Sequence, residues 1–285
     1  MKINTISPLG HKYLQIIDTI AAKPKRLYFI GKLPETRQPT VAIVGTRKPT
    51  SYGREVTYQI AYDLAKRGVI VVSGLALGVD GIAHRAALDA GGTTLAILAN
   101  GVDIIYPASH KELANNIIKN GGAIISDYEP GTAARDFQFI ERNRIVSGLS
   151  DAIIITEAAI RSGTMSTAAH ALDQGREVFV VPGNITSPLS AGCNKLIKQG
   201  ATPITCAEDV LEIIAPDLLQ GQSLLPLGAN ALETKIIKLL QSGVRDGDDL
   251  QTQSDAEISE FSQTMTLMEI NGVIRALGGN QWTLR

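Results

Sequence analysis

Apolar runs rich in β-branched residues recur along the middle of the chain as VAIVG, VIVVSG, TTLAILA, AIISD, AIIIT and EVFVV, with helical patterns between them. Their spacing predicts repeated βα units over residues 41–215. Strands apolar on both faces need helices above and below, so the fold expected is α/β: an extended, Rossmann-like, doubly wound and mostly parallel sheet. Residues 1–40 add LYFIG (27–31), a further strand behind a short helical pattern, as an N-terminal extension of this core. Residues 216–230, PDLLQGQSLLPLGAN, carry the Pro and Gly of a linker. Residues 231–285 run helix, helix, helix and a hairpin around Gly278-Gly279, the order of a small winged-helix-like domain.

Ligands of doubly wound sheets sit beyond the strand C-termini. The predicted strands end in Gly45-Thr46-Arg47, Ser73-Gly74, Ala99-Asn100-Gly101 and the stretch from Glu157 to Gly163, so four loops are expected along one edge. The first opens a helix with Arg47, Lys48, Thr50 and Ser51, which suits a phosphate and equally suits a plain helix cap with a solvated arginine. Its glycine spacing is neither that of a dinucleotide fingerprint nor that of a P-loop. In the second unit Asp80 is expected to be structural. His84, on the same helix face, is expected to be a hydrogen-bonded histidine, since no nucleophile stands near it. Tyr106-Pro107 fixes a turn in the third, with packing favoured over stacking for the tyrosine ring.

The fourth region is the richest. FQFIERNRIVSGLSDAIIITEAAIRSGTMSTAAHAL (137–172) sets an aromatic ring and an Arg-Asn-Arg triplet before a buried strand, and an Arg-Ser-Gly-Thr turn after it. On a helix Phe139, Arg142 and Asn143 share a face, while Arg144 points away. Arg161 and the Ser162-Gly163-Thr164 turn approach the same edge from the next unit, whose helix is expected to open at Met165. Cations and a ring converging at strand ends suit a groove for a stacked, phosphate-bearing polymer, which points to single-stranded nucleic acid. The plainer alternative places Phe139 in the core and the arginines in surface ion pairs.

Charge sharpens this picture. The chain has 285 residues with 27 Lys and Arg against 28 Asp and Glu, so nucleic-acid binding has to come from local clustering. The tail from residue 231 holds five cations against eight carboxylates, which predicts a protein-binding or regulatory role for it. Cys193 and Cys206 form no Cys-x-x-Cys, and no metal or other cofactor is expected. No basic leader precedes an apolar run, and no stretch approaches the ~18 apolar residues of a membrane span, so a cytoplasmic protein without a membrane partner is expected.

Six motifs in order, VAIVGTRKPTSYG, SGLALGVDGIAHRAAL, GVDIIYPASHKEL, FIERNRIVSGLSD, EAAIRSGTMSTAAHALDQGREVFVVPG and SAGCNKLIKQGA, resemble the DNA-processing protein A (DprA, or Smf) family over about residues 25–215. The resemblance implies a non-catalytic protein that binds and protects incoming single-stranded DNA, forms a homodimer and loads the RecA recombinase in natural transformation. It implies DNA contacts at Arg47, Ser73, Gly74, Phe139, Asn143, Arg144, Arg161 and the Ser162-Gly163-Thr164 turn, to which helix geometry adds Arg142. Dimer and RecA contacts would fall at roughly residues 190–211. The chain departs from the family in having Leu77 where members often carry Arg and Met165-Ser166 where they often carry Leu-Ile. It is also expected to lack the accessory N-terminal helical domain of many members. The rival is a nucleotide-binding or nucleoside-monophosphate phosphoribohydrolase-like enzyme of the lysine-decarboxylase-like type. Residues 158–167 lack both the second glycine and the glutamate of that loop, leaving acid–base cleavage without an agent.

Overall fold

The computed structural model describes residues 2–220 and 230–284, so the expected linker lies outside the described residues over 221–229. Two compact units result, Met1–Leu219 and Gln220–Arg285.

In the first unit the chain runs β1 (Asn4–Ile6), β2 (Leu27–Gly31), β3 (Thr40–Val44), α1 (Ser51–Lys66), β4 (Ile70–Ser73), α2 (Val79–Asp89), β5 (Thr94–Ile97) and α3 (Lys111–Lys119). It continues with β6 (Ala123–Ser126), α4 (Asp136–Leu149), β7 (Ala152–Ile155), α5 (Gly163–Asp173), β8 (Glu177–Val180), α6 (Ala191–Lys198), β9 (Thr202–Pro203), α7 (Ala207–Ile214) and α8 (Asp217–Gln220). The strands form one nine-stranded sheet ordered β1-β2-β6-β5-β4-β3-β7-β8-β9. Pairing is parallel from β6 across to β9, and antiparallel where β2 joins β6 and β1 joins β2.

Alternation along each strand feeds two apolar layers. Ile153 and Ile155 pack with Ile145, Val146 and Leu149 of α4 on one face, and Ala152 and Ile154 pack with Ile60 and Leu64 of α1 on the other. Burial on both faces is what a β-branched, wholly apolar strand demands. The six expected strands all form. LYFIG becomes β2, but the helical pattern ahead of it closes as two short 3-10 helices, Pro8–Gly10 and Gln15–Thr19. β1 and β9 were not expected, and α5 opens at Gly163 rather than Met165.

The order of the sheet places β4, β5 and β6 on one side of β3, and β7 and β8 on the other. Connections leaving β3 and β7 diverge at their C-terminal ends and open a crevice, the usual ligand position of such sheets.

Among its described residues the second unit has three helices, α9 (Ala231–Gln241), α10 (Gly247–Ser254) and α11 (Ile258–Ile270), and a hairpin of β10 (Ile274–Gly278) and β11 (Gln281–Leu284). Its core gathers Ile236, Leu240, Leu250, Phe261, Met265 and Met268. The hairpin turns at Gly279 and Asn280, both at positive φ (58° and 62°), which suits these two residue types.

Candidate nucleic-acid interface

The loop from β3 to α1 is fastened from below. Glu157, buried just past β7, accepts the Thr50 N–H at 2.8 Å and the Thr50 hydroxyl at 2.6 Å, while Thr50 Oγ1 accepts the Gly53 N–H at 3.1 Å and so caps α1. Thr46 N–H donates to the Glu157 carbonyl at 2.8 Å, and Val79 N–H to the Thr46 carbonyl at 3.2 Å. Gly78 is at φ +78°, and a Cβ there would lie 2.7 Å from the Arg47 carbonyl oxygen. The cap therefore exists, as the plainer reading of this loop had it, yet Arg47 is not simply solvated. Its guanidinium lies 5.4 Å from the centre of the Phe139 ring, and the Tyr106 ring meets the other aromatic at 5.5 Å with a 51° tilt. A cation over a ring face is attracted by the ring quadrupole.

Phe139 belongs to the first turns of α4, and the same helix carries Arg142 and Asn143 into a cavity of about 250 Å³ at the switch point. Arg142 is buried. Its guanidinium donates to the Gly74 carbonyl at 2.8 Å and to the Ile97 carbonyl, which locks α4 onto the ends of β4 and β5. Asp80, buried in the first turn of α2, accepts the Gly74 N–H at 3.0 Å and the Ala76 N–H at 3.4 Å. Burial pushes its carboxyl up from the ordinary carboxylate range, opposed by the Arg142 charge and those N–H groups. Burial likewise lowers Arg142 to about 10, so the guanidinium stays charged at neutral pH. Asn143 Nδ2 donates to Ser166 Oγ at 3.0 Å and to the Gly163 carbonyl at 3.3 Å, tying α4 to the start of α5.

Ser162, Gly163 and Thr164 line the same cavity at the N-terminus of α5, and Ser162 Oγ is buried without a hydrogen-bond partner among the described residues. Arg47, Arg142 and the positive end of α5 thus face one hollow that contains a single lining carboxylate, Asp80. Such a hollow favours an anion. A smaller adjoining crevice is lined by Gly74, Leu77, Tyr106 and Phe139, so Tyr106, expected mainly to pack, presents a half-exposed ring at this edge.

Two other residues expected at the interface, Arg144 and Ser73, are engaged by the fold itself. Arg144 is drawn away from the cavity: its guanidinium pairs with Asp127 at 2.7 Å and donates to the carbonyls of Ala22 and Glu141. Helical periodicity turns it from Phe139 in the same way. Ser73 is fully buried and its hydroxyl donates to the Ile43 carbonyl at 2.6 Å, which joins β4 to β3. Arg161 is exposed, next to Ser162, and forms no ion pair among the described residues. The loop at Asn100 closes on itself through the Asn100 amide, donating to the Gly101 and Ile104 carbonyls. His84 is buried, with Nδ1 2.6 Å from Thr94 Oγ1, and burial lowers it to about 3, so it is a neutral core histidine. Among the described residues no cluster of His, Cys, Asp or Glu is placed to hold a metal ion.

A doubly wound, mostly parallel sheet whose switch-point crevice joins arginines, an aromatic pair and a helix N-terminus defines a Rossmann-like protein with a cationic cleft. The chain belongs to the DNA recombination-mediator protein A family, whose profile matches residues 4–215. It is similar to protein Smf of Escherichia coli, with 43% identity over 189 residues covering 66% of this chain and 50% of the relative. The chain therefore spans about half the length of the first curated relatives it matches. Among solved structures it is similar to DNA processing protein A of Streptococcus pneumoniae, with TM-score 0.70, 37% identity and 75% of each chain covered. It is also similar to DNA processing protein A of Helicobacter pylori, with TM-score 0.66, 34% identity, and 76% of this chain and 97% of that one covered. The Helicobacter structure was determined for that protein's mode of binding single-stranded DNA.

Proposed function

We propose that the switch-point cavity binds single-stranded DNA and that the chain acts as a recombination mediator. The observation that carries this is the Arg47 guanidinium over Phe139, beside the buried charge of Arg142 and the open N-terminus of α5. Arg47 and the α5 N–H groups take successive phosphates, Arg161 adds a cation at the rim, and bases stack on Phe139 and Tyr106 at about 1–3 kcal/mol each. Ring faces and phosphates are common to every nucleotide, so sequence preference is weak. Duplex DNA is rejected because its bases are already stacked and its backbone does not bend into a hollow of about 250 Å³. Family membership and the strand-binding relative from Helicobacter support the same reading.

The chain is further proposed to be a cytoplasmic homodimer whose two pockets hold one strand, protect it and pass it to RecA during transformation. Two linked pockets raise avidity through effective concentration. The protein is proposed to be non-catalytic. The carboxylates nearest the cavity are committed, Glu157 to the α1 cap and Asp80 to the Gly74 and Ala76 N–H groups, which leaves neither free as a general base.

The test is the salt dependence of oligo-dT binding. Replacing both Arg47 and Arg161 by Ala should flatten the slope of log affinity against log salt by about 0.7 for each phosphate that is no longer neutralised. An unchanged slope would remove these residues from the phosphate path. Ribose release from AMP would instead establish the phosphoribohydrolase alternative.

A further inference from the structure

The start of α4 exposes two large apolar side chains, Phe137 at 54% and Ile140 at 53%. Residues three apart on a helix lie about 60° apart around its axis, so the two form one patch. Single exposed apolar side chains are ordinary on any surface. This pair differs in place and continuity. In a parallel βαβ arrangement the helices run opposite to the strands, so the start of α4 stands at the C-terminal edge of the sheet, above the crevice. Ile140 lines the cavity wall itself. Phe139, between the two in sequence, turns the other way, toward Arg47 and Tyr106.

We propose that Phe137 and Ile140 form a second shelf for nucleobases, extending the strand path beyond the cavity. The proposal rests on the single-stranded DNA reading of that cavity. The charges around the patch settle which part of the strand it meets. Asp136 and Glu141 flank it, the latter accepting the Tyr128 hydroxyl at 2.7 Å, and Arg135 is the neighbouring cation. Around Phe137 two carboxylates against one guanidinium repel phosphates, whereas Ile140 borders the cavity of Arg47 and Arg142; a phenyl ring and a branched alkyl group suit base faces. Nucleotides here would lie with bases inward and phosphates toward solvent. The contact at Phe137 is therefore insensitive to salt, unlike the contact at Arg47, whose release of counterions makes it salt-dependent.

Fluorescence anisotropy with the full chain tests this, using labelled oligo-dT of about four and about sixteen nucleotides, the range of ordinary single-strand site sizes. Phe137→Ala should bind the longer strand about 5- to 150-fold more weakly, the loss expected for one stacked base. Binding of the shorter strand and the salt slope should match the wild type, and Phe137→Trp should restore the longer-strand affinity. Arg47→Ala should weaken both strands. Wild-type binding of both lengths by Phe137→Ala would overturn the shelf and leave the patch to a protein partner. An equal loss at both lengths would also overturn it, by placing Phe137 in the primary pocket. Failure of the wild-type chain to bind either strand would defeat the DNA reading itself, and the shelf with it.

Discussion

Arg142 and Arg47 are both arginines of the candidate site, and burial divides their labour. Arg47 is exposed and held by one ring, so on the proposed reading its removal should cost strand affinity and little stability. Arg142 is buried beside Asp80 and satisfies the carbonyls that end two strands. Arg142→Ala strips those carbonyls and leaves Asp80 without its facing charge, so unfolding stability should fall by about 3–5 kcal/mol. Urea denaturation checks this, and a loss under about 1 kcal/mol would show that Arg142 is not a structural tie. His84 gives a residue-scale pH signature. Its folded-state value is depressed from 6.5 to about 3, first by burial and then by the charges of His110, Arg142 and Arg85. Protonation thus favours the unfolded chain. The contribution of the neutral ring is complete above about pH 6.5 and is lost as pH falls toward 3. Relative to His84→Gln, wild-type stability should decline over that window by up to about 1.4 kcal/mol per pH unit. Parallel stability curves for the two proteins between neutral and acid pH would contradict the burial argument.

At the scale of elements, the arginine loop is positioned by neighbours that never touch a ligand. Glu157 reaches Thr50 across 107 positions of sequence, and Gly78 lets the start of α2 pass under the Arg47 carbonyl. Gly78→Ala combines an unfavourable positive φ with a Cβ pressed against that carbonyl, so the loop must shift. Oligo-dT affinity should drop about tenfold or more, as when a positioning group is displaced, while the overall fold persists by circular dichroism. Unchanged affinity would mean that the loop position does not matter. These long-range fastenings explain what the sequence could and could not reveal. The six central strands were legible because buried β-branched runs admit little else, and the grouping of Phe139, Arg142 and Asn143 followed from helical periodicity alone. β1 and β9, three and two residues long, have no pattern of their own and exist through their pairing partners. Arg144 shows the limit from the other side. Periodicity turned it away from the cavity, resemblance to the family drew it back, and its pairing with Asp127 across the connection from β6 is visible only in three dimensions. Ser73 likewise reads as a ligand-facing hydroxyl until Ile43 is seen to accept it.

The whole molecule divides its charge as it divides its chain. The switch-point cavity collects arginines in the first unit, whereas the unit after Leu219 has more carboxylates than cations. The outward residues of α11, among them Ser259, Ser262, Gln263, Thr266 and Ile270, include no lysine or arginine. On the proposed reading strand binding therefore belongs to the first unit, whose cavity carries Arg47 and Arg142. The most direct test of that assignment is anisotropy of labelled oligo-dT with the full chain at two salt concentrations, challenged by unlabelled duplex of the same length. The predicted result is salt-sensitive binding that excess single strand reverses and duplex leaves intact. Equal competition by duplex, or no binding at low salt, would contradict a single-strand site at the switch point.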